Sequence, residues 1–204
     1  MTLTKNNFLS TAQDYLDRLQ ASFNQQILES VEILARELLQ AWIDGRSVYI
    51  CGNGGSAANA IHIANDLHYG IGACGPAPTL PGLRVEALSA NPGIITCLAN
   101  DTGYENIYAH QLQVKGLPGD ILIALSGSGN SPNIVKALEI ATIQKMKTFA
   151  ILGFSGGRCL ELAQNSIHFD ANDMQIAEDT QLVVGHLCMQ WLNSNKPEQL
   201  NTLR

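Results

Sequence analysis

The sequence predicts an α/β protein: a three-layer αβα sandwich on a five-stranded parallel sheet, preceded by N-terminal helices. Three observations carry that expectation. From Asp44 onward, short β-type apolar runs alternate with helical patterns, which is how a parallel sheet covered by helices on both faces reads. Two of the strand-to-helix junctions are rich in glycine and serine, residues that let a backbone approach a ligand closely. Residues 4–43 contain neither glycine nor proline and show helical periodicity instead.

In the N-terminal segment, Leu16, Leu19 and Phe23 recur at helical spacing in a first helix, and Ile27, Val31, Leu34, Leu38 and Leu39 in a second. Such apolar faces must be buried. They could pack on the rest of the domain or on another subunit; because the α/β part reads as complete without them, a contribution to a subunit interface is the expectation preferred. Strands are expected at 47–51, 84–88, 120–125, 147–152 and 166–169, and helices near 57–69, 92–100, 104–115, 131–145, 157–164 and 173–193. Residues 70–83 carry four glycines and three prolines and read as a surface loop. The 204 residues suit one domain: a helical segment 4–43, an α/β core 44–193 and a polar tail 194–204.

Composition narrows the partners. Apolar residues make up 46% and charged residues 15%, enough for a substantial core. Twelve basic against eighteen acidic residues give a net charge of −6 with no basic run, which argues against nucleic acid and anionic membrane. Backbone N–H groups and hydroxyls can still hold a phosphate. The cysteines, Cys51, Cys74, Cys97, Cys159 and Cys188, are odd in number and lack C-x-x-C spacing, as expected of free thiols in the cytoplasm. The start lacks the apolar run of a signal peptide, and no stretch approaches the ~18–20 apolar residues of a membrane span.

The first loop is Cys51-Gly52-Asn53-Gly54-Gly55-Ser56, and Ser56 is placed to cap the following helix or to donate to an anion. Gly52-x-Gly54-x-x-Ala57 also fits a loose dinucleotide fingerprint. That fingerprint wants an acidic residue ~20 residues on, just past the second strand, whereas Glu86 lies inside the expected strand. The second loop, Ser126-Gly127-Ser128-Gly129-Asn130-Ser131, supplies three hydroxyls at a strand end and lacks the G-K-[ST] of a P-loop. Two such loops at carboxyl ends of one sheet point to a phosphorylated ligand.

In their contexts these loops resemble the sugar isomerase (SIS) domain. The run from Cys51 through His62 and Asp66 to Leu67 is similar to the first loop and helix of bacterial phosphoheptose isomerases; so are Leu98 to Tyr104 and Gly119 to Ser131. The resemblance implies an aldose–ketose isomerase converting sedoheptulose 7-phosphate to D-glycero-D-manno-heptose 7-phosphate, and a homotetramer. It implies that Ser126, Ser128 and Ser131 hold the phosphate with Gly127 in the same loop, and that Asn53, Gly54, Gly55, Ser56 and Asp101 face the sugar.

Moving a carbonyl between C2 and C1 needs a base beside the carbonyl and an acid or metal at oxygen. His62 and Asp66, at i and i+4, share a helix face. Glu178 and His186 are eight residues apart on the last helix, offset by ~80° around its axis. By residue type alone these are more often a surface hydrogen bond, a solvated charge and a core histidine. The resemblance makes His62, Asp66, Glu178 and His186 a zinc set, with Asp66 as base, His186 as acid and Glu178 also near substrate. Four departures from the family pattern stand out: Asp66 where glutamate is usual, Glu178 where glutamine is usual, Gly70 near the place of an arginine, and Gln175 at the place of an aspartate, with Asp173 two residues earlier. The alternative is a non-catalytic SIS protein, either a scaffold associating with the replication initiator or a sugar-phosphate sensor; the presence of Asp66 and His186 favours the enzyme.

Overall fold

A computed structural model describes residues 7–72, 80–198 and 200. Five strands, β1 (Ser47–Cys51), β2 (Arg84–Ala87), β3 (Ile121–Ser126), β4 (Lys147–Leu152) and β5 (Asn165–His168), form one sheet in the order β2-β1-β3-β4-β5. Every pairing is parallel. Eight α-helices accompany them among the described residues: α1 (Phe8–Ala21), α2 (Gln25–Asp44), α3 (Gly55–Asn65), α4 (Pro92–Thr102), α5 (Ala109–Lys115), α6 (Pro132–Ile143), α7 (Gly157–Leu162) and α8 (Met174–Ser194). The αβα expectation holds, with strand ends within a residue or so of the expected ones.

Successive side chains of a strand point to opposite faces, and the core divides accordingly. Val48, Ile50, Ile121, Ile123, Phe149 and Ile151 pack with α2, α3 and α8. Tyr49, Cys51, Leu122, Ala124, Ala150 and Leu152 pack with α5, α6 and α7. The N-terminal segment is therefore not an appendage as a whole. Ile27, Val31, Leu34, Leu38 and Trp42 of α2 are buried in the first of these cores, so α2 is one layer of the sandwich. In α1 none of the residues is buried within the chain, although Phe23 just beyond it meets Phe169 edge-on at 5.1 Å between centroids.

Three other segments differ from the sequence reading. The expected helix 57–69 is α3 followed by a π-helical turn at Asp66–Gly70. The expected helix 104–115 is a 3₁₀ turn at Tyr104–Asn106 and then α5. The polar tail begins after Ser194, yet Leu200 packs on the core. Residues 73–79 of the expected surface loop, with Cys74, lie outside the described residues. Cys51, Cys159 and Cys188 are buried free thiols and Cys97 is an exposed one.

The amino end of the sheet is pinned by Asp120, which is 3% exposed. Its carboxylate accepts from Ser47 N (2.9 Å) at the start of β1 and from Leu117 N (3.0 Å) in its own turn. Asp120→Ala would orphan two backbone donors in a dry place. Urea unfolding is expected to show a loss of about 3 kcal/mol; a loss under about 1 kcal/mol would mean that water replaces the carboxylate there.

Candidate active site

In a sheet ordered 2-1-3-4-5 the strand order reverses between the neighbours β1 and β3, and the crevice beyond their carboxyl ends is where such sheets bind ligands. Both glycine- and serine-rich loops leave those two strands. In the first, Gly54 (φ 55°, ψ −123°) is the residue before α3, in a conformation closed to L side chains, and it makes no side-chain capping bond. Ser56 is buried inside the first turn, so it does not cap the helix as expected. In the second loop Ser126 Oγ accepts from Gly129 N (3.0 Å) and Ser128 Oγ from Asn130 N (3.3 Å). Gly129 is left-handed (φ 66°), and a β-carbon there would fall on the carbonyl of Gly156. Ser131 heads α6 without a side-chain capping bond. Gly127 lies under Met174, the first residue of α8: a β-carbon on it would stand 2.6 Å from Met174 Sδ.

The loops are tied by two side-chain amides. Asn53 Nδ2 donates to Asn133 Oδ1 (2.9 Å), and Asn133 Nδ2 donates back to Asn53 Oδ1 (2.8 Å). Tyr104 Oη donates to the same Asn53 Oδ1 (3.1 Å). Asn53 therefore stands in the expected loop with both polar atoms engaged by protein. Sequence reasoning missed Asn133, because a buried polar residue in the first turn of a helix leaves no periodic trace, and the bond of Tyr104, an exposed residue of the turn after α4, to Asn53. Asp101, near the end of α4, is exposed and accepts from Asn100 Nδ2 (2.7 Å).

α3 and α8 run parallel, side by side. Glu178 lies against Gly55, Asn59 Nδ2 donates to Glu178 O (2.8 Å) and Gln181 Oε1 (3.2 Å), and Gly185 meets Ile63. This pairing brings His62 and Asp66 opposite His186. His62 Nε2 and His186 Nε2 are 3.2 Å apart, and each is 3.5 Å from Asp66 Oδ2. A tetrahedral divalent ion with bonds of about 2.0–2.1 Å separates neighbouring ligand atoms by about 3.3 Å. The triangle fits such an ion, with a fourth position left over. Both imidazoles are about half exposed, with side-chain exposures of 50% and 44%, so the group is open to an incoming ligand.

Glu178 does not join them; this corrects the four-residue metal set. Its offset around the axis is small, but eight residues also rise ~12 Å along a helix. Its carboxylate lies at the amino end of α3, where a β-carbon on Gly55 would stand 2.3 Å from Oε2. Gly70 ends the π turn against Met189, whose flexible end would have to shift for a β-carbon there, Cε standing 2.8 Å away. Asp173 caps α8, accepting from Gln175 N (3.0 Å) and Ile176 N (3.3 Å). It also takes Arg18 Nη1 of α1 at 2.7 Å. One turn on, Tyr15 Oη donates to Asp179 Oδ2 (2.6 Å), and burial, then that bond, push the phenol up to about 12.

The comparisons with known proteins point to one family. The family model described as the SIS domain matches residues 7–153. A phosphoheptose isomerase of Aneurinibacillus thermoaerophilus is 32% identical over 183 residues, covering 85% of this chain and 90% of its own. One of Akkermansia muciniphila is 36% identical over 162 residues, covering 78% and 80%. The solved structure of a phosphoheptose isomerase from Neisseria gonorrhoeae shares the fold with a TM-score of 0.79, at 24% identity over 91% of this chain and 97% of that one.

The α1–α8 latch has a pH signature. The Arg18 guanidinium, followed by the N–H of Ile176, holds the Asp173 carboxyl below the usual carboxylate range. A lowered folded pKa adds stability above the ordinary value near 4, and that contribution is lost as pH falls through the folded value. Arg18→Gln is therefore expected to be less stable than the wild type at pH 7, and the two should converge on acidification below about pH 4; a gap that persists in acid would assign the loss to packing.

Proposed function

Because the chain belongs to the SIS-domain family, among its phosphoheptose isomerases, we propose that it interconverts sedoheptulose 7-phosphate and D-glycero-D-manno-heptose 7-phosphate by moving a proton between C1 and C2. The observation that carries the reading is the side-by-side placement of two imidazoles and a carboxylate, 3.2–3.5 Å apart, on helices that start at the ligand crevice.

In this reading Ser126, Ser128 and Ser131, with Gly127, hold the phosphate, and Asn53, Gly54, Gly55, Ser56 and Asp101 surround the sugar chain. Glu178, at Gly55, contacts substrate from the other side. Asp66 takes a proton from C1 and returns it to C2, while His186 gives a proton to O2 and recovers one from O1. Oδ2 of Asp66 faces both imidazoles, which leaves Oδ1 for the proton. His62, Asp66 and His186 would hold one zinc ion; when bound, zinc polarises the carbonyl and hydroxyl oxygens as a Lewis acid. The donor set of two nitrogens and one oxygen suits that metal.

The chain works in the cytoplasm as a homotetramer in this reading. Neither α1 nor α4 buries a residue within the chain, and Phe8, Leu9 and Leu16 of α1 are 79%, 72% and 56% exposed. Among the described residues no helix is long and apolar enough to cross a membrane.

The purified protein is expected to form the aldose from sedoheptulose 7-phosphate, and to lose that activity on chelation and regain it with zinc. Asp66→Asn and His186→Ala should each lower kcat by about 10²-fold or more, with substrate binding retained. No turnover with or without zinc would leave the scaffold or sensor reading instead.

A further inference from the structure

We propose that Asn133 is a positioning residue for the substrate phosphate: its amide, paired head to tail with that of Asn53, fixes the separation of the two ligand loops. The proposal rests on the reading that those loops hold the sugar phosphate.

The sheet itself does not set that separation. The ladder between β1 and β3 ends at Cys51 and Ala124. Beyond it, among the described residues, no backbone hydrogen bond joins residues 52–56 to residues 127–131. The amide pair is the link that remains, at 2.8 and 2.9 Å. Each partner stands at a helix start. Asn53 O accepts from Ala57 N (3.3 Å) in the first turn of α3. Asn133 is two residues past Ser131, and its Oδ1 also accepts from Ile134 N (3.1 Å). Shifting either amide therefore shifts one of the two helix starts that would face the anion. Asn133 is 1% exposed, so it acts through Asn53 and α6 and does not touch the ligand. Tyr104 adds the turn that follows α4, and with it the element bearing Asp101, to the same bracket.

A head-to-tail amide pair demands one donor and one acceptor from each partner. Asn133→Asp keeps the shape and makes the donor conditional. The protonated acid can donate to Asn53 Oδ1 and restore the pattern; the carboxylate sets oxygen against oxygen in a buried place. Burial and that opposing oxygen favour the neutral acid, while Asn53 Nδ2 and Ile134 N, which donate to Oδ1 at the start of α6, favour the carboxylate. The ionisable groups around the bracket are few. Lys136 lies 3.7 Å from Glu105 and donates to Asn106 Oδ1 (3.0 Å). Tyr104 donates to Asn53 and Tyr108 to Gly52 O. Cys51 and Cys159 are buried thiols, and burial pushes both up, Cys159 to about 11. The introduced acid is then the group whose titration separates variant from wild type.

The test compares Asn133→Asp with the wild type from pH 5.5 to 8.5. KM for sedoheptulose 7-phosphate should be about tenfold higher in the variant at the alkaline end, with kcat much less affected, and the ratio should fall toward one at the acid end. A merely structural role would lower thermal stability and active fraction while leaving KM alone. Calorimetric Kd for the same compound reads the ratio without turnover, and a Kd ratio that does not vary with pH overturns the proposal. Wild-type binding without turnover overturns the isomerase reading only; no binding by the wild type overturns both. If Asn133→Asp does not fold, Tyr104→Phe at an exposed position removes one bond of the bracket and should raise Kd about threefold; an unchanged Kd would count against the proposal.

Discussion

The approach of α3 to α8 is the contact on which the candidate chemistry depends. At Gly185 a β-carbon would stand 2.5 Å from Ile63 Cγ1, so the residue opposite Ile63 must be small for the helices to lie this close. Directly beside this contact, His62 and Asp66 face His186 across the same seam. Asn59 holds the upper part of the seam through the carbonyl of Glu178 and the amide of Gln181. Three ligating atoms within 3.5 Å of one another are thus a consequence of helix packing, and the packing in turn is fixed by where β1 and β5 deliver the two helices.

A second set of polar ties sets the mouth of the crevice. The Asn53–Asn133 bracket joins the first loop to α6, and Cys159 N to Gly129 O (2.9 Å) joins the second loop to α7. Arg18 and Tyr15 of α1 clasp Asp173 and Asp179 at the start of α8. α1 buries no residue of its own within the chain, yet it reaches the helix whose first residue covers Gly127. α1 and the loop at residues 126–131 are in this way linked through α8.

Much of this was legible in the residues. Alternating apolar runs gave the parallel sheet, and the two loops leave carboxyl ends of strands in one sheet as expected; that these strands flank the switch point follows from the strand order. His62 and Asp66 could be paired because i, i+4 spacing is local, and the rise between them is only ~6 Å. Glu178 and His186 could not be judged by angle alone, since a similar rotation conceals a long axial rise. The placement of α2 inside the sandwich was hidden because an amphipathic helix shows that it must be covered, not by what. Asn133 was hidden for a different reason: its partner is 80 residues away, and no pattern near either amide announces the other.

Cobalt(II), a spectroscopic stand-in for zinc, reads the central claim most directly. Titrated into the wild type, it is expected to give one equivalent bound per chain with the spectrum of a low-coordinate site. Gly185→Leu would wedge α8 from Ile63, and metal affinity should fall by at least about tenfold while the variant, still folded by circular dichroism, keeps its affinity for the sugar phosphate. Metal affinity undiminished in that variant would contradict the account, because the three side chains would then meet without the close packing of the two helices.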